Sequence, residues 1–224
     1  MISIILATRK RPELFKAMCL SALDTALEPN EIEFISYHDD DDDSVYEYVG
    51  NHKEVVGVAG ARTFNQMFNE CCKVASGDIY MNIADDCTFR TKGWDKRVRE
   101  TFDQYPDKIV FVAPDNEEWA RWGFGVIGFL HKNWVDTLGY FINPHKWAES
   151  SDRWTNEVAV AINRRVHLLD VTVSHENVRD QVHKDKNKRG RESRQTKNYW
   201  LPEMDELRKN EAKLLQNFID NFVP

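Results

Sequence analysis

The strongest constraint on the fold of this chain is an apolar run that ends in two adjacent carboxylates. Residues 79–83 have the pattern of a buried strand, and Asp85 and Asp86 follow it almost at once. In open α/β sheets, ligands bind beyond the carboxyl ends of the strands. Two carboxylates at that position suit Mg²⁺ or Mn²⁺ bridging to phosphate oxygens, and a solvated acidic turn is the structural alternative.

A similar strand begins the chain, and a basic turn follows it. Residues 2–7 are mostly apolar and β-branched, as in a buried parallel strand. Pro12 suits the first position of a helix, which predicts a strand-turn-helix unit. The turn lacks the Gly-x-Gly-x-x-Gly pattern, which argues against a dinucleotide cofactor. Thr8, Arg9 and Arg11 instead favour a diphosphate site at the helix N-terminus, with a solvated basic turn as the alternative.

The next two predicted elements also carry candidate binding residues. A strand over residues 31–37 leads into five consecutive aspartates, whose order is not that of a helix-loop-helix calcium loop. Asp39 or Asp40, nearest the strand, would accept hydrogen bonds from the uracil imide or the ribose hydroxyls. A helix is then predicted to open near Arg62. Arg62 and Asn65 would lie on one face of it, towards the nucleotide phosphates, although Asn65 also suits a surface or cap position.

Composition limits the class of protein. The chain has 224 residues, 42% of them hydrophobic, which is enough for one domain with a sizeable core. Its net charge of −7 argues against a general nucleic-acid coat protein but allows a local basic patch. The four cysteines lack metal-finger spacing, and no stretch resembles a signal sequence or a membrane span. We therefore expect a cytoplasmic protein with reduced thiols.

Several motifs together resemble the nucleotide-sugar-dependent glycosyltransferases of the GT-A fold, and most closely the large family two type. The similarity covers roughly the first 100 residues and continues as isolated motifs to about residue 178. The matching positions are residues 3–12, Asp39 with Asp40, Arg62 with Asn65, the sequence Ala75-Ser76-Gly77-Asp78, the sequence Ala84-Asp85-Asp86, and Gly93-Trp94.

The resemblance implies a metal site at the acidic motif. In that family the last acid of the motif, here Asp86, binds the divalent ion that holds the donor diphosphate. The usual first acid of Asp-x-Asp is Ala84 here, so the motif is a variant and Asp85 would bind either the metal or the donor. A histidine just past a late strand often completes the metal shell in this fold. His175 is that candidate, and a hydrogen-bonded structural histidine is the alternative.

The resemblance also implies a catalytic base near the start of a helix in the second half of the chain. A helix is predicted over residues 155–165, just after an acidic segment. Inverting transfer requires a base there, because the acceptor hydroxyl loses its proton as it attacks. Asp152 is the first choice, followed by Glu149 and then Asp115. Helix capping is the structural alternative for Asp152, and a retaining reaction would not need this base.

A basic segment separates this region from a last amphipathic helix. Residues 179–198 have a net charge of +5 and no apolar periodicity. They suit a loop that orders over the donor phosphates or binds a polyanionic acceptor, and a solvated linker is the default. One such acceptor is a hydroxymethylated pyrimidine in duplex DNA, but a saccharide or protein hydroxyl fits as well. The apolar stripe of the last helix would pack on the domain or against a second copy in a homodimer.

We therefore predict an α/β protein with a GT-A-like, Rossmann-like fold, in which helices flank a mostly parallel central sheet. Residues 1–178 would form the glycosyltransferase domain, 179–199 a basic loop or linker, and 200–224 a C-terminal amphipathic helix. The predicted function is metal-dependent, inverting transfer of a sugar from a nucleotide-diphosphate sugar, with UDP as the first choice of nucleotide. A sugar-phosphate nucleotidyltransferase and a non-catalytic nucleotide- or nucleic-acid-binding module are the alternatives.

Overall fold

A computed structural model describes residues 1–117, 123–144, 151–178, 180 and 202–223. Within these ranges, the chain forms eight strands and six α-helices. The first half contains β1 (Ile2–Ala7), α1 (Pro12–Thr25), β2 (Ile32–Asp39), β3 (Asn51–Gly57), α2 (Phe64–Val74), β4 (Ile79–Asn82), β5 (Cys87–Phe89) and α3 (Trp94–Asp103). The second half contains β6 (Phe111–Asp115), β7 (Gly128–His131), α4 (Lys132–Leu138), α5 (Ser151–Ala161), β8 (Arg165–His175) and α6 (Pro202–Asn221).

The strands form one sheet in the order β3-β2-β1-β4-β7-β6-β8-β5. The first four strands are all parallel, so β1, β2 and β4 end at the same edge of the sheet. In the second half, β7 is antiparallel to both β4 and β6, β8 is parallel to β6, and β5 is antiparallel to β8. The predicted α/β class with a flanked central sheet is confirmed, and its second half is mixed.

Alternating side chains of the parallel strands enter two separate cores. Ile4 of β1 packs with α1 and α3 on one face of the sheet, whereas Ile5 packs with α2, α4, α5 and α6 on the other. Both isoleucines are fully buried. A strand buried on both faces has to be apolar at nearly every position, which explains the continuous run that opens the chain.

A buried carboxylate connects the beginnings of the three parallel strands that lead to the site. Glu33 of β2 accepts a hydrogen bond of 2.6 Å from the hydroxyl of Ser3 in β1. It also accepts one of 3.1 Å from the backbone N–H of Gly77, just before β4. A Cβ on Gly77 would lie 2.5 Å from the Ser3 hydroxyl, so this close approach requires glycine. These contacts hold the strands in register and align their carboxyl ends.

Two helices begin at residues that differ from those predicted from the sequence. Helix α2 begins at Phe64, because Thr63 caps it and forms a reciprocal capping box with Gln66. The expected start near Arg62 is therefore wrong, and Arg62 lies in the preceding turn. Helix α5 begins at Ser151, so Asp152 lies in its first turn and not before it.

The C-terminal helix packs on the domain. Helix α6 contacts α4 and α5, and Leu215 is fully buried there. The indole N–H of Trp154 in α5 donates a 2.6 Å hydrogen bond to Glu211. Arg208 lies over the ring of Trp154 and pairs with Glu157 at 3.1 Å. No helix among the described residues combines the length and apolarity needed to cross a bilayer.

Candidate functional site

The turns after β1 and β4 meet at a buried carboxylate. The hydroxyl of Thr8 donates a 2.8 Å hydrogen bond to Asp85, and the guanidinium of Arg11 donates one of 3.0 Å. Burial raises the pKa of Asp85 above its usual value, although Arg11 and Thr8 favour the ionised form. Because the strands end at the same edge, side chains 77 residues apart in sequence come into direct contact.

Arg9 connects the same turn to the end of β2. Its guanidinium donates a 2.8 Å hydrogen bond to Asp39 and pairs with Asp41. The side chain of Asp39 is only 10% exposed, and its Oδ1 atom has no hydrogen-bond partner among the described residues. Asp40 is exposed and accepts a 3.0 Å hydrogen bond from the backbone N–H of Ala59. Of the two candidates, Asp39 therefore has the buried oxygen that a ligand could satisfy.

Asp86, the next residue after Asp85, contacts His175. His175 Nε2 lies 3.0 Å from Asp86 Oδ1, and the backbone N–H of Val178 donates a 2.9 Å bond to Asp86 Oδ2. Burial opposes ionisation of Asp86, but its contacts with His175 and Val178 outweigh this effect and lower its pKa. The antiparallel pairing of β5 with β8 produces this contact, since Cys87 and His175 are directly opposite each other.

These residues fit a divalent cation. One ligand atom each of Asp86, Cys87 and His175 lies within 4.8 Å of the other two. Oxygen and nitrogen ligands about 2.0–2.2 Å from one ion are separated by about 3 Å. The 3.0 Å separation of Asp86 and His175 already has that value. The carboxylate suits Mn²⁺ or Mg²⁺, whereas the imidazole suits later first-row ions such as Zn²⁺.

The chain beyond β8 also contacts the site. Arg11 donates two hydrogen bonds, of 3.0 and 2.7 Å, to the carboxylate of Asp180 and a third, of 3.2 Å, to the carbonyl of Val178. Although burial opposes its charge, contacts with Asp180 and Asp85 raise the pKa of Arg11. Arg11 is therefore held between the acidic motif and the start of the basic segment, of which only Asp180 lies within the described part of the chain.

The expected pair of Arg62 and Asn65 does not share a helix face. Arg62 is exposed in the turn before α2. Asn65 is buried and donates a 2.8 Å hydrogen bond to the carbonyl of Asn143, which attaches α2 to the chain that follows α4. The prediction failed because the helix begins at Phe64, two residues after Arg62.

The three candidate bases differ in their positions. Asp152 is half-buried and lines a small cavity together with Gly125 and Asn82, the last residue of β4. Burial raises the pKa of Asp152. Asp115 ends β6, and its carboxylate accepts a 2.8 Å hydrogen bond from the backbone N–H of Glu117. Glu149 lies outside the described residues.

Sequence reasoning missed three contributors to this group. Cys87 directly follows the acidic pair, but only the strand pairing shows that it lies opposite His175. Asp41 was one of five equivalent aspartates, and Asp180 was one acid within a basic segment. Their contacts with Arg9 and Arg11 depend on tertiary structure.

Comparison with known proteins extends the description of the fold. No protein-family model matches the chain, and no curated protein matches its sequence. Among solved structures, residues 1–349 of TarS from S. aureus in complex with UDP match with a TM-score of 0.60 at 12% identity, over 77% of this chain and 60% of that one. The same TarS fragment in complex with UDP-GlcNAc matches with a TM-score of 0.60 at 14% identity, over 79% and 59%.

A second solved structure is similar to this chain to the same degree. The mannosyltransferase PcManGT from Pyrobaculum calidifontis, in complex with GDP-Man and Mn²⁺, matches with a TM-score of 0.60 at 12% identity, over 84% of this chain and 60% of that one. The chain thus spans about 60% of the length of these structures. Taken with the sheet order and the alignment of its strand ends, the likeness shows that the chain has a GT-A-like α/β fold.

Proposed function

We propose that this chain is a metal-dependent glycosyltransferase that moves a sugar from a nucleoside diphosphate sugar to an acceptor hydroxyl. The observation that carries the proposal is the convergence of basic, acidic and imidazole groups at one edge of the sheet. Arg9 and Arg11 follow β1, Asp39 ends β2, and Asp86 contacts His175. Ligands of α/β proteins bind at this edge.

Each group has a role in that reaction. The Asp86 carboxylate and the His175 imidazole would hold Mn²⁺ or Mg²⁺, which supplies Lewis-acid stabilisation of the leaving diphosphate. Arg9 and Arg11 would exchange their contacts with Asp41 and Asp180 for contacts with phosphate oxygens. Thr8 and Asp85 would orient Arg11. The ligands of the similar structures, which are UDP, UDP-GlcNAc and GDP-Man with Mn²⁺, support a nucleoside diphosphate sugar as the donor.

Replacement of Asp86 tests the donor site. With Mn²⁺ present, UDP is expected to raise the melting temperature of the parent protein, because a ligand that binds only the folded state stabilises it. Asp86→Ala should lose this stabilisation. It should also raise the activation free energy of sugar transfer by several kcal/mol and so slow the reaction. Asp78→Ala is the matched control, since Asp78 is an exposed acid just before the other end of the same strand.

The outcomes separate the function classes. If Asp86→Ala transfers sugar as fast as the parent at saturating metal, the proposed donor site is wrong. Stabilisation by UDP without any release of free UDP from a UDP-sugar would indicate a binding module. A nucleotidyltransferase would instead form a nucleotide sugar from a sugar phosphate and a nucleoside triphosphate.

We further propose that the reaction inverts the anomeric configuration, with Asp152 as the base. Its raised pKa and its position beside the end of β4 support this role, because a base has to be near the reacting hydroxyl and able to accept a proton. Asp152→Asn should reduce kcat by about 10²–10⁴-fold while donor binding is retained. Proton NMR of the product gives the configuration, and a retained configuration or unchanged kcat would refute the assignment.

A further inference from the structure

A buried thiol lies beside the proposed metal ligands. Cys87 is the first residue of β5 and is directly opposite His175 of β8. Opposed residues of an antiparallel pair project from the same face of the sheet. Within the described part of the chain, Cys87, Asp86 and His175 form the one group of three potential metal ligands, and none of their ligand atoms is more than 4.8 Å from another.

The geometry brings the sulfur close to a ligand position. Bonds from a zinc-like ion are about 2.3 Å to sulfur and about 2.0–2.2 Å to nitrogen and oxygen, so ligand atoms around one ion are about 3–4 Å apart. Asp86 and His175 are already 3.0 Å apart. The sulfur has to approach them by at most about 1 Å to complete the same shell.

We propose that Cys87 is a third protein ligand of the divalent cation and makes the site selective for thiophilic ions. This inference rests on the metal site of the proposed function. A carboxylate ligand suits Mn²⁺ and Mg²⁺, whereas imidazole and especially thiolate ligands favour softer ions such as Zn²⁺ and Cd²⁺. Ligation replaces the thiol proton with a sulfur–metal bond, and the proton passes to the buffer. Zn²⁺ and Cd²⁺ would therefore compete with Mn²⁺ for this site.

Titration of the reduced full chain with Cd²⁺ alone tests the proposal. We expect sulfur-to-cadmium charge-transfer absorption in the ultraviolet that saturates at one equivalent and is absent from Cys87→Ser. Cys72→Ser is the matched control, because Cys72 is half-buried on α2 and belongs to the opposite core. The Cys87→Ser change should weaken Cd²⁺ binding at least about tenfold and alter Mn²⁺ binding much less.

The possible outcomes are distinct. An absorption band that persists in Cys87→Ser, disappears in Cys72→Ser, or never forms in the parent would overturn the proposal. Stabilisation of Cys87→Ser by UDP with Mn²⁺ establishes that the variant is folded. If UDP with Mn²⁺ stabilises the parent but no cadmium band forms, the glycosyltransferase proposal stands and only the role of Cys87 fails. If a band that depends on Cys87 forms but no nucleotide stabilises the parent, Cys87 is a metal ligand and the glycosyltransferase proposal fails.

Discussion

At the residue scale, burial distinguishes side chains that the sequence presents as equivalent. Asp39 and Asp40 follow the same strand and have the same chemistry. Asp39 is nearly buried and has an unpartnered carboxylate oxygen within the described structure, whereas Asp40 is exposed and hydrogen-bonded to Ala59. A buried acceptor without a partner costs about 1–3 kcal/mol. A donor group on the base or ribose would recover that free energy once the contacts that now bury this oxygen open.

We therefore predict that Asp39→Ala weakens UDP binding. Hydrogen bonds to a charged group contribute about 1.5–3 kcal/mol, so affinity in the presence of Mn²⁺ should fall by about 10–100-fold. Asp43→Ala is the matched control, because Asp43 is exposed and belongs to the same aspartate run. Isothermal titration calorimetry measures the UDP affinity of both variants. Equal affinities for the parent and Asp39→Ala would exclude Asp39 from nucleotide recognition.

At the element scale, α6 packs against the helix that carries the candidate base. Helix α6 covers α5, the helix that carries Asp152 in its first turn. The hydrogen bond from Trp154 to Glu211 and the ion pair of Arg208 with Glu157 connect the two helices. The apolar stripe predicted from the sequence therefore packs on the domain, since Leu215 is buried within the single chain.

Two adjacent leucines of α6 test this packing. Leu215 is 0% exposed, so Leu215→Ala should lower the free energy of unfolding by about 2–5 kcal/mol through lost burial and a residual cavity. Leu214 is 51% exposed, and Leu214→Ala should change it by no more than about 0.5 kcal/mol. Urea denaturation of each variant gives both values. Similar losses for the two variants would contradict the packing described for this helix.

At the scale of the whole molecule, charge limits the choice of acceptor. The chain has a net charge of −7, so duplex DNA would have to bind at a local basic region. Residues 179–198 are the candidate, but apart from Asp180 they lie outside the described residues. We propose DNA with a hydroxymethylated pyrimidine as one acceptor to be tested, beside saccharide and protein hydroxyls. Such a base would have to be presented in the groove or flipped out to reach the site.

The salt dependence of DNA binding tests this acceptor. Each neutralised phosphate contributes about −0.9 to the slope of log K against log salt. Neutralising Lys186, Lys188, Arg189 and Arg191 should therefore make the slope shallower by about 3–4. The control removes four exposed lysines from helices elsewhere, namely Lys73, Lys96, Lys209 and Lys213. Equal slopes for the parent and the first variant would remove DNA from the candidate acceptors.

Local sequence was sufficient to predict the fold class and most of the strand ends. Runs such as residues 2–7 are apolar because their strands are buried on both faces, and polar residues follow where each strand leaves the core. Parallel strands share one edge, which brings the polar residues that follow different strands close together. The hydrogen bonds of Thr8, Arg9 and Arg11 with Asp39 and Asp85 are an example.

Tertiary structure alone decided which of these groups contact one another. Cys87 and His175 are paired although they lie 88 residues apart in the sequence, and no local pattern encodes such a register. The cap at Thr63 moved the start of α2 and separated Arg62 from Asn65. Asp39 is nearly buried whereas Asp40 is exposed, a difference that the sequence does not show. Local propensity depends on neighbouring residues, whereas solvent exposure and long-range contacts depend on how the whole chain packs.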